Sequence, residues 1–166
     1  KYLLTSKLKN EIVSSLASCS GHTGIAGGQE LDLKYENKNK KLTQIIDMQK
    51  KKTGKLFNFC LYAVGVVANK SSKEKIFLSN LGEEIGLLFQ LADDFLDIKG
   101  SKKLVGKLVK KDIKKGKSTL LNLMGDKKAY KYAYKLKKKI LRKLKKHGKK
   151  AQDLINTIEF ILGRNF

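Results

Sequence analysis

Apolar residues recur at intervals of three and four along most of the chain, which is the period of an α-helix with one buried face. None of the 166 residues is proline, and leucine, lysine and alanine, which favour helices, are frequent. The spacing predicts helices over residues 3–18, 42–69 and 71–98, a short glycine-rich segment that ends near residue 33, and three helices after residue 118 with a break near residue 147. The predicted fold class is therefore all-α.

Acidic residues interrupt the most apolar part of the helix predicted over 71–98. Residues 85–96 are otherwise nearly all apolar, which is typical of a helix at the centre of a bundle. Gln90, Asp93, Asp94 and Asp97 follow at i, i+3, i+4 and i+7 and so share one stripe of the helix. Carboxylates in apolar surroundings repel one another and are costly to bury. A magnesium ion that also binds a substrate phosphate would neutralise them; an acidic patch facing solvent at the helix end is the alternative.

Two lysine-rich clusters offer the cations that a phosphate ligand requires. Lys50, Lys51 and Lys52 precede Thr53-Gly54 inside a mostly apolar helix, where an amine needs an anionic partner. Residues 106–119 are basic and glycine-bounded and lead into a helix N-terminus, a common site for phosphate. They end in Gly-Lys-Ser-Thr like a nucleotide-binding P-loop, but position 111 is Lys where that motif requires Gly, so a P-loop is excluded.

The basic charge is concentrated in one part of the chain. The net charge is +22, and residues 102–150 hold 21 basic and two acidic residues, whereas the remainder holds 16 basic and 13 acidic ones. Such a block fits nucleic acid, an anionic membrane surface or phosphorylated small molecules; a solvated lysine surface without a specific partner is the simplest alternative. Tyr130, Tyr132 and Tyr134 alternate with these lysines, and we expect them to pack against the protein rather than to stack on bases.

Cysteine usage and hydropathy narrow the class of protein further. Cys19 and Cys60 are far apart and no histidine cluster accompanies them, so we expect two buried free thiols in a reducing compartment. The longest apolar run, residues 56–68, is interrupted by Asn58 and is too short to span a bilayer. No secretory signal pattern is visible.

Glu83, which lies outside the aspartate-rich stripe, is expected to be a surface charge.

Several short motifs of the chain, taken in order, resemble the C-terminal half of the trans-isoprenyl diphosphate synthases, the family of farnesyl and geranylgeranyl diphosphate synthases. The resemblance covers residues 21–166 and rests on the succession of motifs rather than on any one of them. They are Gly27-Gly28-Gln29 with Asp32; Lys52-Thr53-Gly54; Gly86 with Phe89-Gln90; the aspartate-rich Asp93-Asp94-Phe95-Leu96-Asp97; Gly106-Lys107 with Asp112; Gly116-Lys117-Ser118-Thr119; and the terminal Arg164-Asn165.

The resemblance implies a fold, an activity and a set of site residues. The fold would be an isoprenoid-synthase-type helical bundle, with residues 1–166 as the C-terminal part of a single domain. The protein would be a cytoplasmic, dimeric, Mg²⁺-dependent prenyltransferase that joins isopentenyl diphosphate to an allylic diphosphate, with no nucleic-acid partner and no transmembrane segment.

The same resemblance assigns a role to each candidate residue. Asp93 would be the principal Mg²⁺ ligand, with Asp94 and Asp97 assisting. Lys52, Lys107 and Lys117 would bind the allylic diphosphate. Thr53 and Gln90 would line the region where the cation forms and the proton leaves, and with Lys52 they would be the catalytic residues. Gln29 and Asp32 would support the site, and Phe89 would lie against isopentenyl diphosphate.

The chain also departs from the family pattern. Lys110 stands where the family usually has glycine and Leu121 where it usually has proline, so the basic loop is expected to differ in shape. The family's first aspartate-rich motif and its isopentenyl diphosphate-binding residues belong upstream of the matched part and are not found among these 166 residues. Because ionisation of the allylic substrate needs both carboxylate clusters, we expect the 166 residues alone to be inactive.

Two other functions are weighed against this one. A non-catalytic subunit that regulates a full-length synthase would not need an intact aspartate-rich motif or the lysine set. A nucleic-acid-binding module would use the basic block at residues 102–150, with an affinity that falls steeply with salt. It would have no use for three aspartates on an apolar helix.

Overall fold

The structure, a computed structural model, describes residues 4–104 and 119–163, and helices joined by short connections make up this part of the chain. Every regular element of these two stretches is a helix, which confirms the all-α prediction. None of them is long and apolar enough to cross a bilayer. In chain order they are α1 (Ser6–Ser20), α2 (Ile25–Tyr35), α3 (Leu42–Gln49), a π-helical turn (Lys50–Gly54), α4 (Lys55–Val67), α5 (Ser72–Leu104), α6 (Leu120–Met124), α7 (Asp126–Lys145), a 3₁₀ turn (Gly148–Ala151) and α8 (Gln152–Gly163).

Short polar side chains begin several of these helices. The Oγ1 atom of Thr5 accepts a hydrogen bond from the backbone of Leu8 at 3.4 Å, ahead of α1. Before α5, the Ser71 hydroxyl accepts from the Glu74 backbone at 3.3 Å and the Glu74 carboxylate accepts from the Ser71 backbone at 3.1 Å. This reciprocal cap satisfies two backbone donors and confirms the predicted start of that helix.

Two predicted helix boundaries are wrong. The helix predicted to end at residue 98 continues to Leu104, because one glycine, at position 100, costs only about 1 kcal/mol and the lysines around it are good helix formers. The helix predicted to begin at Ser118 is instead capped by Thr119, whose Oγ1 accepts from the backbone of Asn122 at 3.2 Å.

The described residues form two compact units, each with a core of its own. The first comprises residues 4–33 and 47–87, and in it α1 packs against α4. Leucine, isoleucine, valine and methionine side chains from α3, α4 and α5 fill its interior. Its buried apolar residues include Cys19, Met48, Val66, Leu81 and Ile85.

A carboxylate on α1 ties three helices of this first unit together. Lys75 Nζ on α5 and the Tyr62 hydroxyl on α4 both donate to Oε1 of Glu11, over 2.7 and 3.0 Å. These hydrogen bonds, with the nearby lysine charge, hold the pKa of Glu11 below its ordinary value.

The second unit comprises residues 34–46, 88–104 and 119–163. Within it, α7 packs against α6 and α8. The chain turns between α7 and α8 at Gly148, whose φ of 59° favours glycine, and this confirms the break predicted near residue 147. Helix α7 buries one side chain every three or four residues, which is the period of a one-sided helix: Ala129, Ala133, Leu136, Ile140 and Leu144.

Candidate functional site

The π-helical turn at Lys50–Gly54 carries two predicted site residues, Lys52 and Thr53, both half-buried. It interrupts what the sequence predicts as one continuous helix over residues 42–69. A π-turn closes i→i+5 hydrogen bonds, is wider than an α-turn, and occurs frequently at functional sites. The apolar period of the flanking sequence gives no sign of it.

Glycines bring the backbones of α2 and α5 against this turn. A Cβ added at Gly28 of α2 would lie 2.2 Å from the backbone nitrogen of Lys52, and one at Gly86 of α5 would lie 2.7 Å from Cα of Gly54. Such distances are too short for any side chain, so each position requires glycine. The glycines of α2 and α5 therefore hold the π-helical turn in place by direct backbone contact.

An ion pair then fixes the lysine of this turn. Nζ of Lys52 lies 2.6 Å from Oδ2 of Asp32, which stands one helical turn after Gly28 on α2. The two side chains are 33% and 24% exposed, so the pair is partly shielded from water. In the first unit the structure thus brings together two predicted site residues, Lys52 and Asp32. Gln29, on the same helix, is exposed.

The aspartate-rich motif lies in the second unit, along α5. Asp94 is 8% exposed, Asp93 is half-buried and Asp97 is exposed. The side-chain amide of Gln90 donates to Oδ1 of Asp94 at 2.9 Å, four residues along the helix. A buried carboxylate is therefore held by an amide donor of the same stripe, as the i, i+4 spacing predicts. Phe89, also predicted as a site residue, is half-buried.

The carboxylates of α5 meet the requirements of a magnesium ion that also binds a substrate. Among the residues that the structure describes, no three carboxylate, imidazole or thiol groups lie together as a metal site made of protein ligands alone. Mg²⁺, however, usually binds one or two carboxylates and completes its shell with water and substrate phosphate. Asp93 and Asp97, four residues apart on one face of α5, fit that mode.

Two predicted diphosphate ligands, Lys107 and Lys117, lie outside the described residues, as does all but the last residue of the basic segment at residues 106–119. Of the predicted cations, Lys52 is the one whose surroundings the structure describes.

A partly buried polar cluster in the first unit was not predicted from the sequence. Glu83 of α5, predicted as a surface charge, forms an ion pair with Lys55 and accepts from the Asn58 amide at 3.0 Å. Asn58 is 8% exposed, and Sγ of Cys19 lies 3.7 Å from its Oδ1. The signal that could have revealed this cluster is Asn58 itself, a polar residue inside an apolar run, because buried amides need partners.

The two cysteines differ in their surroundings. Cys19 is buried, and burial raises the pKa of its thiol, whereas Cys60 on α4 is exposed. The prediction of two buried thiols is therefore wrong for Cys60, whose position lies on the outer face of its helix.

Comparison with known proteins identifies the relatives of this chain. A family model described as polyprenyl synthetase matches residues 2–158. The farnesyl diphosphate synthase of Micrococcus luteus is 33% identical over 122 residues, which are 74% of this chain and 42% of that enzyme. That of Escherichia coli is 34% identical over 158 residues, which are 93% of this chain and 53% of the enzyme. The chain spans about half the length of these relatives.

Solved structures agree with the sequence relatives. An apo FPP/GFPP synthase from Zymomonas mobilis superposes with a TM-score of 0.80 at 31% identity, covering 95% of this chain and 52% of that one. A geranyltransferase from Helicobacter pylori, complexed with magnesium and isoprenyl diphosphate, gives a TM-score of 0.78 at 28% identity, covering 98% and 53%. These likenesses confirm the predicted isoprenoid-synthase-type helical fold.

Proposed function

Because the chain belongs to the polyprenyl synthetase family, we propose that it supplies the C-terminal part of a magnesium-dependent prenyltransferase site. The reaction would join isopentenyl diphosphate to an allylic diphosphate, as in a farnesyl diphosphate synthase. Residues 1–166 would belong to one synthase domain whose first aspartate-rich motif is not among them.

The observation that carries the proposal is the placement of the aspartates on α5. A helix that buries Leu88, Leu91 and Ala92 completely also carries Asp93 and a buried Asp94 held by Gln90. Burial of carboxylates is costly, and a solvated acidic patch would not require it. The burial of these aspartates is explained if they hold a cation that also binds a phosphate ligand.

Each residue has a defined part in the proposed reaction. Asp93, with Asp94 and Asp97, would hold Mg²⁺, which when bound neutralises the charge that develops on the departing pyrophosphate. Lys52, Lys107 and Lys117 would bind the diphosphate oxygens. The allylic C–O bond breaks and its electron pair leaves with pyrophosphate; the isopentenyl double bond then forms the new C–C bond, and loss of a proton restores a double bond.

The residues around the π-helical turn would position this chemistry. Asp32 keeps the ammonium of Lys52 in one place before substrate binds, so little reorganisation is needed when the leaving group gains charge. Thr53 and Gln90 would line the region of the cation and the departing proton. Gln29 would support the site, and Phe89 would lie against isopentenyl diphosphate.

The test is a chimera that restores the first aspartate-rich motif. The residues of the Escherichia coli farnesyl diphosphate synthase that precede its matched region are fused to this chain, and condensation of labelled isopentenyl diphosphate with an allylic diphosphate is measured. We expect turnover by the chimera and none by the 166 residues alone. Asp93→Asn should lower kcat at least about 100-fold, because transition-state charge loses its neutralising partner.

Asp47→Asn is the matched control for that substitution. Asp47 is a 60% exposed carboxylate whose i, i+4 pair with Lys51 is worth little, so activity should stay within about twofold. Turnover by the 166 residues alone would contradict the half-site argument. Chimera activity that survives Asp93→Asn, with co-purification of a longer synthase, would favour the regulatory-subunit alternative.

From the resemblance to the polyprenyl synthetase family, we also propose that the protein is a homodimer and lies in the cytoplasm. Sedimentation velocity of the purified chimera tests the dimer, and a monomer at micromolar concentration would contradict it.

A further inference from the structure

Helix α7 presents a strongly basic surface that the proposed reaction does not use. Residues 127–150 contain 13 lysines and arginines and no acidic residue, whereas the other 142 positions hold 24 basic and 15 acidic residues. The buried side of α7 faces the core of the second unit, so its lysines are left on the outside. We call the exposed residues of α7 from position 127 onward the basic face.

A groove runs along the basic face beside α8. Its volume is about 750 Å³, and its cations are Lys137, Lys138, Arg142 and Lys145. The apolar part of its lining comes from Leu141 and the ring of Tyr134. The opposite wall includes Glu159, whose backbone carbonyl accepts from Nζ of Lys137 at 3.1 Å.

Aromatic side chains are exposed together with these lysines. Tyr130 and Tyr134 are 45% and 47% exposed, and Phe160 on α8 is 64% exposed. The sequence predicts that these tyrosines pack against the protein, and Tyr130 does so against Phe95, ring edge to ring face, with centroids 6.0 Å apart. Lysines beside half-exposed rings and apolar side chains are the composition of a surface that lies at a lipid headgroup layer.

We propose that the basic face docks on the surface of an anionic phospholipid bilayer, with headgroup phosphates in the groove and the ring of Tyr134 at headgroup level. A lysine ammonium is a point charge that binds a phosphate without one fixed geometry, so it suits phosphates that move laterally in a bilayer. Three of the four cations in the groove are lysines, and the fourth is Arg142. Leu141 and the ring of Tyr134 give the groove an apolar lining against which the carbon atoms of a headgroup can pack. This inference does not depend on the proposed catalysis.

Nucleic acid fits the same charges less well. Base stacking needs the open face of an aromatic ring. The ammonium of Lys138 sits over the ring of Tyr134, 4.7 Å from its centroid, and so occupies one face. Tyr130 is partly engaged by Phe95. The rings can therefore present their edges and hydroxyls to a bilayer interface more readily than their faces to bases.

Charge reversal with a matched control provides the first test. The 166-residue chain is sedimented with phosphatidylcholine vesicles containing either none or 30% phosphatidylglycerol, at 100 mM NaCl. We expect binding only to the anionic vesicles, and at least tenfold weaker binding for the variant Lys138→Glu, Arg142→Glu, Lys145→Glu. The control, Lys9→Glu, Lys41→Glu, Lys73→Glu, changes the net charge equally at exposed lysines outside α7 and should bind within about threefold of the parent. Circular dichroism verifies that both variants are folded.

A tryptophan reporter distinguishes the membrane from a nucleic acid. The chain has no tryptophan, so Tyr134→Trp introduces a single fluorescent tryptophan into the groove. The control is Val13→Trp, which places a single tryptophan at an exposed position of α1. Anionic vesicles should shift the emission of the Tyr134→Trp variant to the blue and leave the control unchanged. Equal vesicle binding by the two charge-reversed variants would overturn the proposal. So would a shift of the Tyr134→Trp emission with a 30-nucleotide single-stranded DNA but not with vesicles.

Discussion

Single side chains in the first unit differ sharply in how accessible their chemistry is. The thiol of Cys19 is buried beside Asn58, and its raised pKa leaves little thiolate at neutral pH. The thiol of Cys60, on the outer face of α4, meets solvent. The two groups should therefore behave as one reactive and one protected cysteine.

Thiol labelling at pH 7.5 measures this difference. We expect one thiol per chain to react with a maleimide reagent at least ten times faster than the other, and both to react alike in concentrated urea. Cys60→Ser should remove the fast phase and Cys19→Ser should leave it. Equal rates in the folded protein would mean that Cys19 is not shielded.

The carboxylate of Glu11 makes stability depend on pH. Its pKa is lowered from 4.5 by the hydrogen bonds from Lys75 and Tyr62, so the folded state favours the ionised form. The stabilisation is therefore present above pH 4.5 and is lost as pH falls through the lowered value. We expect Glu11→Gln to lower the urea midpoint at pH 7 and the difference from the parent to vanish at acidic pH. Glu36→Gln, at an exposed position, is the control; a pH-independent difference for Glu11→Gln would contradict the linkage.

At the scale of elements, the π-helical turn depends on the close contacts made by two glycines. Gly28→Ala would push a methyl group into the backbone of Lys52, and because backbone cannot move aside as a flexible side chain does, we expect a loss of about 2 kcal/mol or more in the free energy of unfolding. Urea denaturation followed by circular dichroism measures it.

Gly163→Ala on α8 is the matched control for this substitution, since a Cβ there meets nothing within 4 Å. Its effect should lie within about 1 kcal/mol of zero, on the stabilising side, because alanine is the better helix former. Equal losses at the two positions would show that glycine at position 28 matters for flexibility and not for contact.

The elements also show what the sequence can and cannot predict. The helical period, the Ser71–Glu74 cap and the break near Gly148 are local signals, and each is confirmed. The stripe of Gln90 and Asp94 follows from spacing alone. The π-helical turn depends on backbones distant in sequence that approach one another, and the apolar period of the chain gives no sign of it. The contacts of Glu83 likewise join residues distant in sequence, and their one local sign is Asn58, a polar residue inside an apolar run.

At the scale of the whole molecule, the net charge of +22 works against compactness. Like charges on the basic face repel one another, and added salt screens that repulsion over a distance of about 10 Å at 0.1 M. We expect Tm to rise by several degrees between 20 and 300 mM NaCl, measured by circular dichroism. The variant Lys138→Glu, Arg142→Glu, Lys145→Glu should show a smaller rise, and a Tm that falls with salt would contradict this account.

The wide turn at Lys50–Gly54 has a consequence for the chain's tolerance of insertions and deletions. Each residue of a regular helix rotates the next by about 100°. A turn with i→i+5 hydrogen bonds holds about one residue more than an α-helical turn, so each of its residues rotates the next by less. If one lysine of the run were deleted and the turn closed as an ordinary helix, the side chains from Lys55 onward would therefore keep nearly their present directions, and Asn58 would still face Glu83. A one-residue deletion in the middle of α4, by contrast, would rotate every later side chain of that helix by about 100°. The extra residue thus changes the directions of the side chains inside the turn, Lys52 among them, and leaves the following helix in phase.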